Sequence, residues 1–271
     1  MRTPNLLIKK LGFLAAAAMI TLSACQKKDA NVTTNTPGPA HSLRLTPDDA
    51  ANSANPFDYM GLAHNEALQA TRAVWTNSSS TFHDIYTSST TFIRTNYDPH
   101  VVASPERDVE NTYYTVKADM PNYGATLIAA TPLSATGKTY ANNIMQILLR
   151  PNTTATYMDL KNAVVAVEVQ VAGDRNLSTA DKQALSKIAS VGRYSTLYWV
   201  NESAGLNRTG TPLLTTNGVT TPVAAQTMGF NWIGAVMADV GAIMGEIGSG
   251  HSFWQSVVTV VCASLSAGFG L

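Results

Sequence analysis

The sequence predicts a mainly α protein. It reads as a single helical domain of about six helices that ends in a small-residue hairpin, behind a cleaved lipoprotein signal and a flexible tether. Three observations predict this. Apolar residues recur at three- and four-residue spacing in successive segments. A short apolar leader ends in a cysteine. Residues 230–271 carry small and bulky side chains in parallel rows.

The leader, residues 1–24, has the three parts of a secretory signal. Arg2, Lys9 and Lys10 are its positive end, Leu11 to Leu22 its uncharged apolar run, and Ser23-Ala24 its small-residue close. That run falls short of the ~20 apolar residues a spanning helix needs. Leu22-Ser23-Ala24-Cys25 resembles the bacterial lipobox. The resemblance implies cleavage before Cys25, a diacylglyceryl thioether on its sulfur and an acyl group on its new amine. The alternative is a signal peptide with a chance cysteine. Each buried methylene contributes about 0.8 kcal/mol, and one acyl chain binds only reversibly while two or more hold stably. A triacylated Cys25 therefore gives a membrane partner, lipid, without a spanning helix.

Lys+Arg and Asp+Glu number 18 each, and 13% of residues are charged. No cationic footprint for nucleic acid results. With Cys25 lipidated, Cys262 is the remaining thiol, so no internal disulfide forms. Its setting, VVTVVCASL, predicts a small buried hydrophobe rather than a reactive group.

Residues 25–54 are rich in Thr, Asn, Pro, Ala and Asp and are expected to be a disordered tether. The opening QKKD resembles the charged signals that follow the lipid cysteine in Bacteroidota surface lipoproteins, although those carry more acid than the single Asp29. The expected address is the outer membrane, facing either the periplasm or the cell surface.

The helical domain is expected over residues 55–202. Asn55-Pro56 reads as a helix start, with Phe57, Met60, His64, Leu68 and Trp75 on one face of a helix over 56–75. His64 lies on the apolar stripe and reads as a hydrogen-bonded core histidine before a ligand or base. Asp58 and Asn65, seven apart, share another face. Asp58, His64 and Asn65 together make a speculative polar site. Residues 76–105 read as loops and short elements. Their His83, Asp84, Asp98 and His100 are metal-capable but lack HxH or HExxH spacing, so no metal or cofactor is expected.

Ser104-Pro105 with acids following reads as another helix start, and 121–137 as loop. Tyr140, Ile144, Ile147 and Leu148 predict a helix over 139–150. Residues 155–174 fit either an alternating strand (Val165, Val167, Val169, Val171) or a helix (Tyr157, Leu160, Val164, Val167, Val171), and length favours the helix. Ser178 with Asp181 is a capping-box variant opening the next helix, in which Gly192 is placed to kink the chain. Tyr194, Tyr198 and Trp199 read as core before surface patch. A polar loop is expected over 203–229.

In the hairpin, Gly234, Ala238, Gly241, Gly245 and Gly248 form a small row beside Ile233, Met237, Val240, Met244 and Ile247. After Gly248-Ser249-Gly250, the row Ser252, Ser256, Thr259, Ala263, Ser266 and Gly270 repeats the scheme. Such faces allow close helix approach. Three placements stay open: packing on the domain, covering by a protein partner, or membrane entry. Asp239 and Glu246 oppose the last, at roughly 2.5–3.5 kcal/mol each at mid-bilayer.

NPFDYMGLAHNEAL (Asn55–Leu68) resembles an NP(F/Y)DxxGxxHNxxL pattern of small uncharacterised Bacteroidota lipoproteins. Two further patches share the resemblance, the YSTLYW element at Tyr194–Trp199 and the Gly/Ala-rich tail at Gly234–Gly270. It implies a lipid-anchored, mostly helical protein and supplies no catalytic residues. The expected function is a non-enzymatic binding or interaction lipoprotein with a protein or small-ligand partner. The alternative is a membrane-active, toxin- or bacteriocin-like protein acting through residues 230–271. No G-x-S-x-G, P-loop or HExxH occurs, which disfavours an enzyme.

Overall fold

A computed structural model of the chain describes residues 45–75, 80–122, 124–149, 156–202, 214–215, 218–219, 232–247 and 252–269. The leader, Cys25 and most of the expected 203–229 loop lie outside the described residues. The described ones belong to one unit, Ser42–Leu271, and the fold is mainly α. Among the described residues there are eleven α-helices: α1 (Pro47–Ala50), α2 (Asp58–Ala70), α3 (Arg72–Trp75), α4 (Phe82–Asn96), α5 (Glu106–Asp119), α6 (Ala125–Ala130), α7 (Ala135–Leu149), α8 (Tyr157–Gly173), α9 (Thr179–Glu202), α10 (Trp232–Glu246) and α11 (Phe253–Phe269). Three of these are short, which is why the periodicity of the sequence shows fewer. A two-residue antiparallel pairing joins Leu214–Thr215 to Gly218–Val219.

The local starts follow capping chemistry. Thr156 Oγ1 accepts from Asp159 N at 3.2 Å, while Asp159 Oδ2 accepts from Thr156 N at 2.8 Å. This reciprocal box opens α8 and commits the Val-rich stretch to helix, with Tyr157, Leu160, Val164, Val167 and Val171 inward. The same box, Thr81 with Asp84, opens α4 inside the stretch read as loops and short elements, and Ile85, Ser89 and Ile93 fill its buried face. Ser178 Oγ accepts from Asp181 N, and the Asp181 carboxylate, besides its bonds to Ser178, accepts from Ser134 N. Asp181 thus ties the start of α7 to α9.

Other boundaries move. Asn55 Oδ1 accepts from Phe57 N at 2.8 Å, and α2 begins at Asp58. The helix read over 56–75 is interrupted at Thr71, whose hydroxyl bonds back to the carbonyls of Ala67 and Leu68. Ser104 does not cap α5 through its side chain; its carbonyl accepts from Tyr86 Oη. The expected tether is shorter than 25–54, because residues 45–54 are folded: α1 has its own Thr46–Asp49 box, and Asn52 bonds to Glu168 of α8.

Helix α9 is the axis of the domain and packs against α1, α2, α7, α8 and α10. Every residue from Ile188 to Val200 is buried, so the helix is enclosed on all sides and its polar residues must find partners inside. Helix α9 continues through Gly192, where a Cβ would sit 2.4 Å from Leu148 Cδ1, so this glycine serves close approach to α7.

Helices α10 and α11 pack together and are inserted among the others, α10 against α5, α6, α7 and α9, and α11 against α2, α4 and α5. Gly241 of the small row is seated against the domain. A Cβ at Gly241 would lie 3.0 Å from Val116 of α5 and 3.1 Å from Leu127 of α6. Among the described residues no helix is long and apolar enough to cross a membrane.

Candidate functional site

The chemistry-bearing side chains gather where α2, α9 and α10 meet. His64 of α2 and Asp239 of α10 have side chains 1% and 0% exposed, with His64 Nε2 3.0 Å from Asp239 Oδ1. Neither of these two atoms has a hydrogen-bond partner elsewhere. The other carboxylate oxygen, Oδ2, accepts from Ser195 Oγ at 2.5 Å and from Trp199 Nε1 at 3.3 Å. Trp199 Nε1 also donates to Ser264 Oγ of α11 at 3.0 Å. On the far side of the ring, His64 Nδ1 lies 3.1 Å from Asn65 Oδ1, and Asn65 Nδ2 donates to the carbonyl of Tyr194 at 2.8 Å. Asp239 of α10 thus ties α2 and α9 together in the interior, and Trp199 extends the link to α11.

Nearly two turns earlier, at the start of α2, is a second cluster. The Arg193 side chain is fully buried, and its Nη2 lies 2.5 Å from Asp58 Oδ1 and 3.2 Å from Glu168 Oε1. Its Nη1 donates to the carbonyl of Ala50. Two carboxylates facing one guanidinium leave an excess negative charge, which neutral donors offset. Asp58 Oδ2 accepts from Asn52 N at 3.0 Å and Tyr194 Oη at 3.1 Å. Glu168 accepts from Asn52 Nδ2 at 2.8 Å and Asn55 Nδ2 at 2.6 Å. Burial alone would lower the Arg193 pKa, but Glu168 and Asp58 outweigh it and hold it above its ordinary value. Burial, with the charge and hydrogen bond of Asp58, pushes the Tyr194 hydroxyl well up, so it stays protonated and donates.

Between the clusters the backbones nearly touch. A Cβ at Gly61 would lie 2.4 Å from Tyr194 Cδ2 and 2.6 Å from the Ser190 carbonyl. Gly61 N donates to Ser190 Oγ, which donates to the Asp58 carbonyl. The residues of NPFDYMGLAHN therefore divide the work: Asn55 and Asp58 hold α8 and α9, Gly61 admits Tyr194, His64 takes Asp239, and Asn65 takes the α9 backbone.

The expected site of Asp58, His64 and Asn65 is thus resolved into two. His64 and Asn65 touch, whereas Asp58 belongs to the arginine cluster. Asp239, Ser195, Arg193 and Glu168 were not among the candidates. Asp239, an acid within an apolar row, and His64, a histidine on an apolar stripe, were each visible as anomalies, but nothing local indicates that they pair. Ser195, Asp239 and His64 do not form a nucleophile relay. The serine bonds the aspartate, not the imidazole, and all three are buried.

A pocket of about 400 Å³ borders this seam at Asn65, with Leu45, Leu62, Leu197, Tyr198 and Asn201 also in its wall. The metal-capable residues of the 76–105 stretch are spent separately. His83 pairs with Glu106 at 2.8 Å, Asp84 caps its own helix, and Asp98 accepts from His100 N. Among the described residues no group of three or more His, Cys, Asp or Glu could hold a metal ion. Cys262 is buried, which pushes its thiol up to about 12.

Comparison of the chain with protein-family models, with curated proteins and with solved structures gave no match.

Proposed function

We propose that this protein is a lipid-anchored lipoprotein of the outer membrane, acylated at Cys25, whose helical domain is a non-enzymatic binding or interaction module. The observation that carries the reading is Leu22-Ser23-Ala24-Cys25 at the end of a charged, then apolar, then small-residue leader. The interior supports the binding half of it. The ionisable residues best suited to chemistry, His64, Asp239, Arg193, Asp58 and Glu168, are bonded to one another across helices. They act as cross-ties of a rigid scaffold that presents its surface to a partner.

The membrane-active alternative uses residues 230–271 differently. It would have to expose Asp239 to lipid after breaking its bonds to Ser195 and Trp199, and to withdraw Gly241 from its seat against Val116 and Leu127. The packing role is favoured.

The anchor is tested by metabolic labelling with a clickable fatty acid. The native chain takes label and Cys25→Ala does not; label retained by that variant overturns the reading. Protease shaving of intact cells then assigns the face of the membrane.

A further inference from the structure

We propose that the groove between α7 and α8 is a binding site for a neutral carbohydrate. The inference deepens the binding role above and rests on that role alone, not on the anchor. The groove encloses about 680 Å³, within the ~300–1,000 Å³ typical of small-ligand sites. Thr136, Tyr140, Asn142, Asn143 and Gln146 of α7 line it, with Gln170 of α8. Among the described residues of the wall there is no Lys, Arg, Asp or Glu.

Three features select the ligand. The amides of Asn142, Asn143, Gln146 and Gln170 make no hydrogen bond to other described residues, in a protein whose interior amides, Asn52, Asn55 and Asn65, are all engaged. A free amide presents two donors beside an acceptor with two lone pairs. A sugar hydroxyl both donates and accepts, so adjacent hydroxyls match an amide as a pair. Four such amides on facing helices match several hydroxyls of one ring or of neighbouring rings.

The second feature is charge. A phosphate or carboxylate ligand needs a cationic group, and nucleic acid needs several; the described residues of the wall supply none. A hydrophobic ligand would leave the amides desolvated without partners, at about 1–3 kcal/mol each. The third feature is Tyr140. Its ring is half-buried against the core and its hydroxyl donates to Asp174 Oδ2 at 3.1 Å, so the part of it in the wall is a fixed apolar surface beside the amides for the C–H groups of a pyranose.

The test is titration of the detergent-solubilised full chain with soluble neutral oligosaccharides of hexoses and pentoses, followed by NMR or calorimetry at millimolar ligand. At least one series should bind, and Asn143→Ala/Gln146→Ala should weaken it tenfold or more. Both residues lie on the surface, so thermal unfolding of that variant should match the parent. Gln69→Ala, in the wall of the 400 Å³ pocket beside Leu62 and Asn65, should bind as the parent does. Absence of binding by every neutral oligosaccharide overturns the proposal, as does binding unchanged in the double variant or a preference for anionic sugars. A protein partner captured equally by parent and double variant would keep the binding role while removing the groove from it.

Discussion

His64 Nε2 and Asp239 Oδ1 lie 3.0 Å apart in the centre of the domain, although 175 positions separate the two residues in the chain. The contact fixes the C-terminal hairpin to the first long helix. Removing one partner of a buried polar pair leaves the other's polar atom unsatisfied, which typically costs about 1–3 kcal/mol. His64→Leu and Asp239→Leu are each expected to destabilise by that order in urea unfolding. A double-mutant cycle should return a coupling of about 0.5–3 kcal/mol. Additive single effects would show that the pair contributes nothing beyond packing.

Gly61 and Gly173 give opposite expectations for the same substitution. A methyl at Gly61 meets the Tyr194 ring and the Ser190 carbonyl, and backbone cannot move aside, so Gly61→Ala should destabilise by about 1–3 kcal/mol. At Gly173 nothing lies within 4 Å of the new Cβ. Gly173→Ala should stabilise by up to about 1 kcal/mol through helix propensity. Thermal unfolding of both variants distinguishes the two cases.

Arg193→Met leaves Asp58 and Glu168 facing each other without their cation. The expected loss is about 3–5 kcal/mol, and Arg193→Lys should recover little, since an ammonium cannot reach two carboxylates and the Ala50 carbonyl in one plane. The Leu45–Asn55 segment should loosen first, because Ala50, Asn52 and Asn55 are all held by this cluster. Limited proteolysis should cut there in Arg193→Met before any helix; cutting elsewhere first would contradict the clamp.

Acid should weaken the α7–α9 junction. Burial raises the Asp181 pKa, but its bonds to Ser134 and Ser178 outweigh that and leave it below the ordinary carboxylate value. A folded pKa below the unfolded one, about 3.9, contributes stability that is complete above that pH and lost as pH falls through the folded value. Asp181→Asn should therefore be less stable than the parent at neutral pH and show a shallower decline below about pH 4. Parallel pH profiles for the two proteins would exclude Asp181 as a source of the dependence.

Cys262 should behave as a core residue. With its thiol pushed up to about 12 by burial, it should resist Ellman's reagent in native Cys25→Ala protein and react at once in denaturant. Rapid native labelling would mean that the α11 environment opens.

The sequence alone determined the helical class, because spacing of apolar residues along 56–75, 139–150 and 156–173 is a local property that needs no partner. The Thr156–Asp159 and Thr81–Asp84 boxes are equally local, but apolar spacing reports neither, and without the second the stretch holding α4 reads as loops and short elements. Motif residues such as Asn55, Asp58, Gly61 and His64 were conspicuous one by one. What they touch was decided by tertiary structure, since each bond in the seam joins residues far apart in sequence: Asp58 to Arg193, Asn52 to Glu168, His64 to Asp239. Periodicity reports which face of a helix is apolar. It does not report which buried polar group on another helix will satisfy the one exception on that face, because that choice is made only when enclosure removes water from both.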